Sequence, residues 1–321
     1  MTGRLLLGQV ELHPVVIPMT VRFRGVIRRR AILIEGPEGW GEFSPFSEYP
    51  PEVTARWLAS ALESACSPLP APVRRTVPVN VTVPAIPSGA AGTLVAHSGC
   101  TTAKVKVAEP GQTEEDDLAR VEAVRAALGP TGKIRVDANA GWDVATAIER
   151  ITRLSAFGLE YVEQPVPTIP EMVKIRESVD VPIAADESVR TASDPLEAAE
   201  AGAADIYILK VQPLGGVGRT LALAAEVGLP VVVSSALETS VGMAAGVWAA
   251  ACLPELSHAC GLGTVTMLAE DVVDDRMIPK GGVIDVRRPV PHPELLARHR
   301  PDRGECDRML ARVNAAAELL T

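Results

Sequence analysis

Three carboxylates and two lysines stand 23 to 31 residues apart along the middle of the chain: Lys106, Asp137, Glu163, Asp186 and Lys210. Each ends or follows a short apolar run, in "TTAKVKVAEP", "RVDANAGW", "YVEQP", "AADES" and "IYILK". Three carboxylates gathered in a low-dielectric cleft repel one another and acquire raised pKa values unless a cation sits among them. Oxygen-only ligands with room for water suit Mg²⁺ better than Zn²⁺, with Mn²⁺ as a possible substitute. A lysine close to such a cation, or to a second ammonium group, is pushed toward neutrality and becomes a competent base. Lys104 and Lys106 lie two positions apart, so on a strand they face the same side.

A lone aspartate at a strand end is more often a helix N-cap than a ligand, so the weight rests on the register. Asn80, Ser234 and Gly261 extend the same spacing to eight positions, the last a gap rather than a side chain. One residue from each strand end then converges on one place. Arg135, two residues before Asp137 and so on its face, reads either as a support for the metal carboxylates or as an ion pair in a barrel layer. Ser234 reads equally as a site residue or as a helix N-cap.

The elements that must position these residues are legible as alternation. Eight apolar runs, from "VPVNVTVP" to "SHACGLG", alternate with helical stretches such as "TEEDDLARVEAVRAALG", acidic in its first turn. Strand–helix repetition implies a parallel sheet. Eight units within about 200 residues point to an α/β fold, a closed (β/α)₈ TIM-type barrel over 77–286, with an open doubly wound sheet as the competitor. Residues 1–76 differ: antiparallel strands joined by glycine turns such as "GPEGWG", then a helix opened by proline. Residues 287–321 supply further apolar helix, so 1–76 plus 287–321 are expected to form an α+β capping domain.

Composition excludes several classes. Of 321 residues, 47% are hydrophobic and 22% charged, which argues for a packed chain rather than disorder. The net charge of -9, with basic residues dispersed apart from "RFRGVIRRR", leaves no footprint for nucleic acid or an anionic membrane. That basic run is expected on an edge strand or over a substrate pocket. The longest mainly apolar run, "VGMAAGVWAAACLP", falls short of the roughly 20 residues a membrane-spanning helix needs. Five cysteines without a CxxC pair, and an N-terminus unlike a signal peptide, fit a reducing cytoplasm.

Taken together, "KVK", "DAN", "EQP", "ADES" and "LK" resemble the enolase superfamily and, within it, the muconate-cycloisomerase-like group, over nearly the whole chain. The resemblance implies Asp137, Glu163 and Asp186 as Mg²⁺ ligands, Lys106 and Lys210 as acid/base groups, and Lys104 as a supporting lysine. "VVVSSALETS" offers no histidine base of the mandelate-racemase kind, and "HACGLGT" lacks the DxD of dipeptide epimerases. Within that group, "RVDANAGW", "SSALETSVG", "FRG" and "WGEFSPF" resemble most the members that dehydrate 2-succinyl-6-hydroxy-2,4-cyclohexadiene-1-carboxylate to 2-succinylbenzoate in menaquinone biosynthesis, and the resemblance implies that reaction here. The alternatives are N-succinylamino-acid racemisation and muconate-type cycloisomerisation, with a non-catalytic binding barrel the least favoured. In the dehydration, Lys106 would remove the proton α to the ring carboxylate and then protonate the leaving hydroxyl, while Lys210 stabilises the enediolate from the opposite face. Ser234, the backbone at Gly261, Arg24 and Phe46 are the expected contacts of the succinyl tail. The expected partner is a small-molecule dicarboxylate, with no nucleic acid, no membrane insertion, and a monomeric or homo-oligomeric chain.

Overall fold

The structure, a computed structural model, describes residues 7–23, 25–190 and 194–320. The chain opens with an antiparallel sheet of β1 (Glu11–Phe23), β2 (Val26–Gly36) and β3 (Gly39–Phe43) in the order β1-β2-β3. Both faces of β2 are covered, and strand alternation sorts its side chains accordingly. Ile32 and Ile34 pack with Trp57 and Leu58 of the helix Pro51–Cys66 and with Met309 and Val313 of the C-terminal helix Arg303–Glu318. Ala31 and Leu33, on the other face, pack with Val241, Leu268 and Val272. The C-terminal tail thus returns to the N-terminal sheet, and Arg30 Nε meets Glu305 Oε1 at 2.6 Å.

The first β-rich run of the barrel divides in two. β4 (Thr76–Pro78) pairs antiparallel with β12 (Val283–Asp285), whereas β5 (Val81–Val83) enters the parallel sheet. β6 (Thr102–Lys106), β7 (Lys133–Asp137), β8 (Leu159–Glu163), β9 (Ile183–Ala185), β10 (Ile206–Leu209) and β11 (Val231–Val233) follow in sequence order. The eighth run is too short for a ladder, yet it closes the sheet. Cys260 bridges to Val79 and Gly261 to Ser234, both in parallel sense. Four backbone hydrogen bonds carry this closure: Asn80 N to Cys260 O, Cys260 N to Pro78 O, Gly261 N to Val233 O and Ser235 N to Gly261 O, at 2.7–2.9 Å. The expected (β/α)₈ barrel is therefore present, with its last strand reduced to two bridges. A layer of Tyr161, Ala184, Ile206, Ile208 and Val232 fills part of its interior.

The helices begin where the sequence suggested. Thr113 and Asp116 form a reciprocal capping box at Glu114–Leu128, whose first turn carries four acidic residues. Asp143 caps Val144–Ser155 through the Thr146 amide. The helix Ser240–Cys252 carries the longest apolar run and is almost wholly buried against the barrel and the β1–β3 sheet. No helix among the described residues is long and apolar enough to cross a membrane.

Sheet and barrel are joined through buried polar groups. Glu42 on β3 accepts from the amides of Thr239 and Gly242 and from Thr239 Oγ1, at the start of that apolar helix. Glu238 Oε2 accepts from Ala236 N at 2.7 Å. Burial, and then the charge of Glu42, push the Glu238 carboxyl up to about 7.

Two outcomes follow from this packing. A Cβ on Gly41 would stand 1.9 Å from Ala61 O of the helix Pro51–Cys66. Gly41→Ala is expected to lower stability by about 1–3 kcal/mol, read as a shift of the urea midpoint. Because the folded chain holds the Glu238 proton more tightly than the unfolded chain does, its contribution is full below about 4.5 and is lost as pH rises through about 7. Glu238→Gln should remove about 2–3 kcal/mol of that decline between pH 5 and 8, measured by denaturation across the range; parallel curves for the two proteins would contradict it.

Candidate active site

Parallel register lines up the first three site residues. β6 pairs Lys106 with Asp137, and β7 pairs Asp137 with Glu163, so the strand ends present ammonium, carboxylate and carboxylate in one row. Asp186 follows β9 by one residue and Lys210 follows β10 by one, each at the same end of the sheet. Lys104 stands two residues before Lys106 on the same face, and all six side chains are buried.

The charges are paired among themselves. Lys104 Nζ lies 3.0 Å from Asp137 Oδ2 and 2.9 Å from Glu163 Oε1. Lys106 Nζ lies 2.6 Å from Asp137 Oδ2 and 2.5 Å from Asn139 Oδ1. Lys210 Nζ donates to Asp186 Oδ2, and Arg190 Nε reaches Asp186 Oδ1 at 3.2 Å. Burial opposes ionisation at Lys104, Asp137, Glu163, Asp186, Arg190 and Lys210. At Asp137, Lys106 and Lys104 outweigh it and hold the carboxyl well below the usual range. At Asp186, Lys210 and Arg190 do the same. Glu163 behaves differently: burial and the Asp137 charge push its carboxyl up to about 7. Burial lowers the Lys210 pKa, whereas Glu163 and Asp137 overcome burial at Lys104 and hold it charged.

The residues around the charges explain the motifs. In "DAN", Asn139 turns into the left-handed region at φ +45° and its amide spans Lys106 and Glu187 Oε1. In "EQP", Gln164 has φ +39°, and its Oε1 accepts from the amides of Asp186 and Ser188 at 3.0 and 3.1 Å. Its Nε2 donates to Ser188 Oγ and Val166 O. Gln164 thereby fixes the start of "DES", which carries Asp186, against the strand end that carries Glu163. Arg190 completes the arrangement by donating to Glu187 and to Tyr49 Oη of the cap.

The three lysines line a pocket with Ser234, Gly261 and Phe46. Gly261 is required there, since a Cβ would stand 2.4 Å from Ser234 Oγ, which donates to Gly261 O. Arg24, expected to contact the substrate tail, lies outside the described residues. Arg135 is not beside Asp137, Glu163 or Asp186. Its Nε pairs with Glu160 at 2.6 Å, its Nη1 donates to Ala259 O and Asn80 Oδ1, and its guanidinium stacks 4.7 Å from the Tyr161 ring centroid. Strand spacing of two residues drops it one barrel layer below Asp137, so the ion-pair reading of Arg135 is the correct one. Asn80, two residues before Thr82, lies deeper in the barrel and accepts from Arg135, and Thr82, in register with Lys104, lines the pocket in its place.

Sequence reasoning passed over several lining residues. Phe23, at the end of β1, places its ring 5.2 Å from Lys106 Nζ. Ala236 and Leu237 form a wall after Ser234, with Leu237 at φ +69°. The alternation that finds strand residues carries no information about loop residues or about a cap folded over the mouth.

The donor set suits a hard divalent cation. Three buried carboxylates supply oxygen ligands only, and Glu163 is crowded by like charge that a cation would relieve. Among the described residues, the group whose ligand atoms all lie within 4.8 Å of one another is a different one, Glu11, His13 and Glu35 on the β1–β2 surface. At the barrel mouth, Lys104 Nζ stands between Asp137 and Glu163.

Comparison with known proteins agrees with this architecture. The enolase C-terminal domain-like family matches residues 89–291, and the enolase N-terminal domain-like family residues 15–65. An o-succinylbenzoate synthase of Thermobifida fusca is 57% identical over 302 residues, covering 94% of this chain and 95% of its own. One from Mycolicibacterium smegmatis is 54% identical over 289 residues, 89% of each chain. Among solved structures, muconate lactonizing enzyme from Pseudomonas fluorescens superposes with a TM-score of 0.78 at 23% identity, over 91% of this chain and 98% of that one. Dipeptide epimerase from Enterococcus faecalis superposes with a TM-score of 0.73 at 21% identity, over 88% of this chain and 97% of that one. These two likenesses concern the fold, whereas the close relatives and the two family matches over most of the chain settle its membership: it belongs to the o-succinylbenzoate synthase family of hydro-lyases within the enolase superfamily.

Proposed function

We propose that the protein dehydrates 2-succinyl-6-hydroxy-2,4-cyclohexadiene-1-carboxylate to 2-succinylbenzoate, as a cytoplasmic step of menaquinone biosynthesis. The observation that carries this reading is one pocket lined by Lys104, Lys106 and Lys210, with Asp137, Glu163 and Asp186 hydrogen-bonded to those same ammonium groups. The reading also takes 1–76 with 287–321 as the capping domain and 77–286 as the catalytic barrel.

Asp137, Glu163 and Asp186 are the residues that would hold Mg²⁺, or Mn²⁺ in its place. The cation would polarise the substrate carboxylate and so favour loss of the adjacent proton. Lys106 would take that proton; in support, its Nζ lies between Asp137 and Asn139, lines the pocket and stands 5.2 Å from the Phe23 ring centroid. The Lys106 ammonium then returns the proton to the departing ring hydroxyl on the same face, and aromatisation drives the loss of water. Lys210 enters from β10, four strands away across the mouth, and holds charge developing on the carboxylate. Burial lowers its pKa, while Asp186 supports its charged form. Lys104, held charged by Glu163 and Asp137, supports the site from two residues before Lys106 on the same face. Ser234, the Gly261 backbone, Phe46 and Arg24 are assigned to the succinyl tail.

The same two lysines would serve racemisation of N-succinylamino acids, one removing a proton and the other returning it. Measuring kcat/KM for the cyclohexadiene acid and for N-succinylamino acids side by side separates the two, and a higher value for the amino acids would overturn the assignment. Lys106→Ala should lower kcat/KM for dehydration by about 10²–10⁴-fold; turnover close to wild type would remove Lys106 from the mechanism. Stripping divalent metal should abolish turnover and adding Mg²⁺ restore it, while full activity after chelation would contradict the role given to the three carboxylates.

A further inference from the structure

Strand alternation divides the basic run on β2. Arg30 turns outward to Glu305 of the C-terminal helix, whereas Arg29, 3% exposed, turns inward toward the barrel. Its Nε donates to Leu237 O at 2.7 Å, and its Nη2 donates to Ala236 O at 3.1 Å and to Ser44 O. The guanidinium also stands 4.8 Å from the centroid of the Phe46 ring. Ala236, Leu237 and Phe46 all line the pocket that holds the three lysines, and they come from the barrel and the cap. One buried side chain therefore fastens the pocket wall from both sides.

The wall has reason to need fastening. Leu237 holds φ +69°, a conformation disfavoured for a residue with a Cβ, and its carbonyl and that of Ala236 accept from the buried Arg29. A planar guanidinium spans several carbonyls at fixed angles, which an ammonium on a flexible stem does not. Behind Ser44, Gln212 exchanges hydrogen bonds with the Ser44 amide and hydroxyl at 3.2 Å, two residues beyond Lys210. Burial lowers the Arg29 pKa, and the charges of Glu42 and Glu238 oppose that in part.

We propose that Arg29 is a positioning residue for the reaction: it sets the distance between the Ala236–Leu237 wall and Phe46, and so the grip on the substrate's tail, without touching the reacting atoms. The kinetic form of this inference rests on the dehydration assigned above, whereas the placement of the wall does not. Arg29→Lys and Arg29→Ala are the variants to test, with wild type and Mg²⁺ alongside.

In Arg29→Lys, KM for the cyclohexadiene acid is expected to rise about tenfold, the loss of one charge-assisted hydrogen bond, while kcat changes little because the lysines and carboxylates are untouched. Arg29→Ala should show the larger KM rise, partly reversed by added guanidinium ion. Hydrogen exchange in a peptide covering residues 234–239 should quicken in both variants without substrate present. Unchanged KM together with unchanged exchange overturns the inference. So does a fall in kcat at constant KM, or a loss of activity that only tracks the unfolded fraction in thermal melts. If wild type fails to turn over the cyclohexadiene acid, the assigned reaction falls, and the exchange of residues 234–239 still decides whether Arg29 holds the wall.

Discussion

Burying seven ionisable groups at one end of a barrel is the constraint around which the rest of the molecule is organised. Removing a carboxylate or an ammonium from water costs several kcal/mol per ion, and only close partners with good geometry offset it. Here Asp137, Glu163 and Asp186 are offset by Lys104, Lys106, Lys210 and Arg190, each within hydrogen-bonding distance of a carboxylate oxygen. The balance is incomplete at Glu163, where burial and a neighbouring negative charge still favour the protonated acid. A site with this unresolved charge suits a reaction in which a proton and a cation must both be managed.

Meeting that constraint requires strands in strict register, because a slip of one residue would turn a lysine or a carboxylate out of the barrel. Parallel pairing of β6, β7 and β8 sets Lys106, Asp137 and Glu163 side by side. Gln164 then uses a side chain in place of a ladder to fix Asp186. Two bridges, at Cys260 and Gly261, close the sheet beside the mouth. The cap covers that region: Phe23 and Phe46 line the pocket, and Glu42 fastens the cap to the start of a buried barrel helix.

Much of the fold was legible because it depends on periodicity. Apolar runs, capping residues and acidic first turns gave the barrel's order, and "TEEDDLARV" starts its helix with the capping box that its residues suggest. The gathering of Lys106, Asp137, Glu163, Asp186 and Lys210 was legible for the same reason, since equal spacing along βα units returns each chain segment to the same end of the sheet. Asn80 and Arg135 mark where this reasoning stops. Both obey the right face but lie below the carboxylates: two residues of strand set Arg135 beneath Asp137, and the split of the first run brings Thr82 rather than Asn80 into register with Lys104.

The sequence by itself determined which side chains could do chemistry and at which end of the strands they stand, because alternation and unit length are local properties of the chain. Only the tertiary structure decided what those side chains touch. Arg135 pairs with Glu160 rather than a site carboxylate, Phe23 reaches Lys106 from another sheet, and Arg29 grips a loop 208 residues further along the chain. Such contacts join segments whose separation in sequence carries no periodic signal, and they are chosen by burial and hydrogen-bond satisfaction over the whole fold.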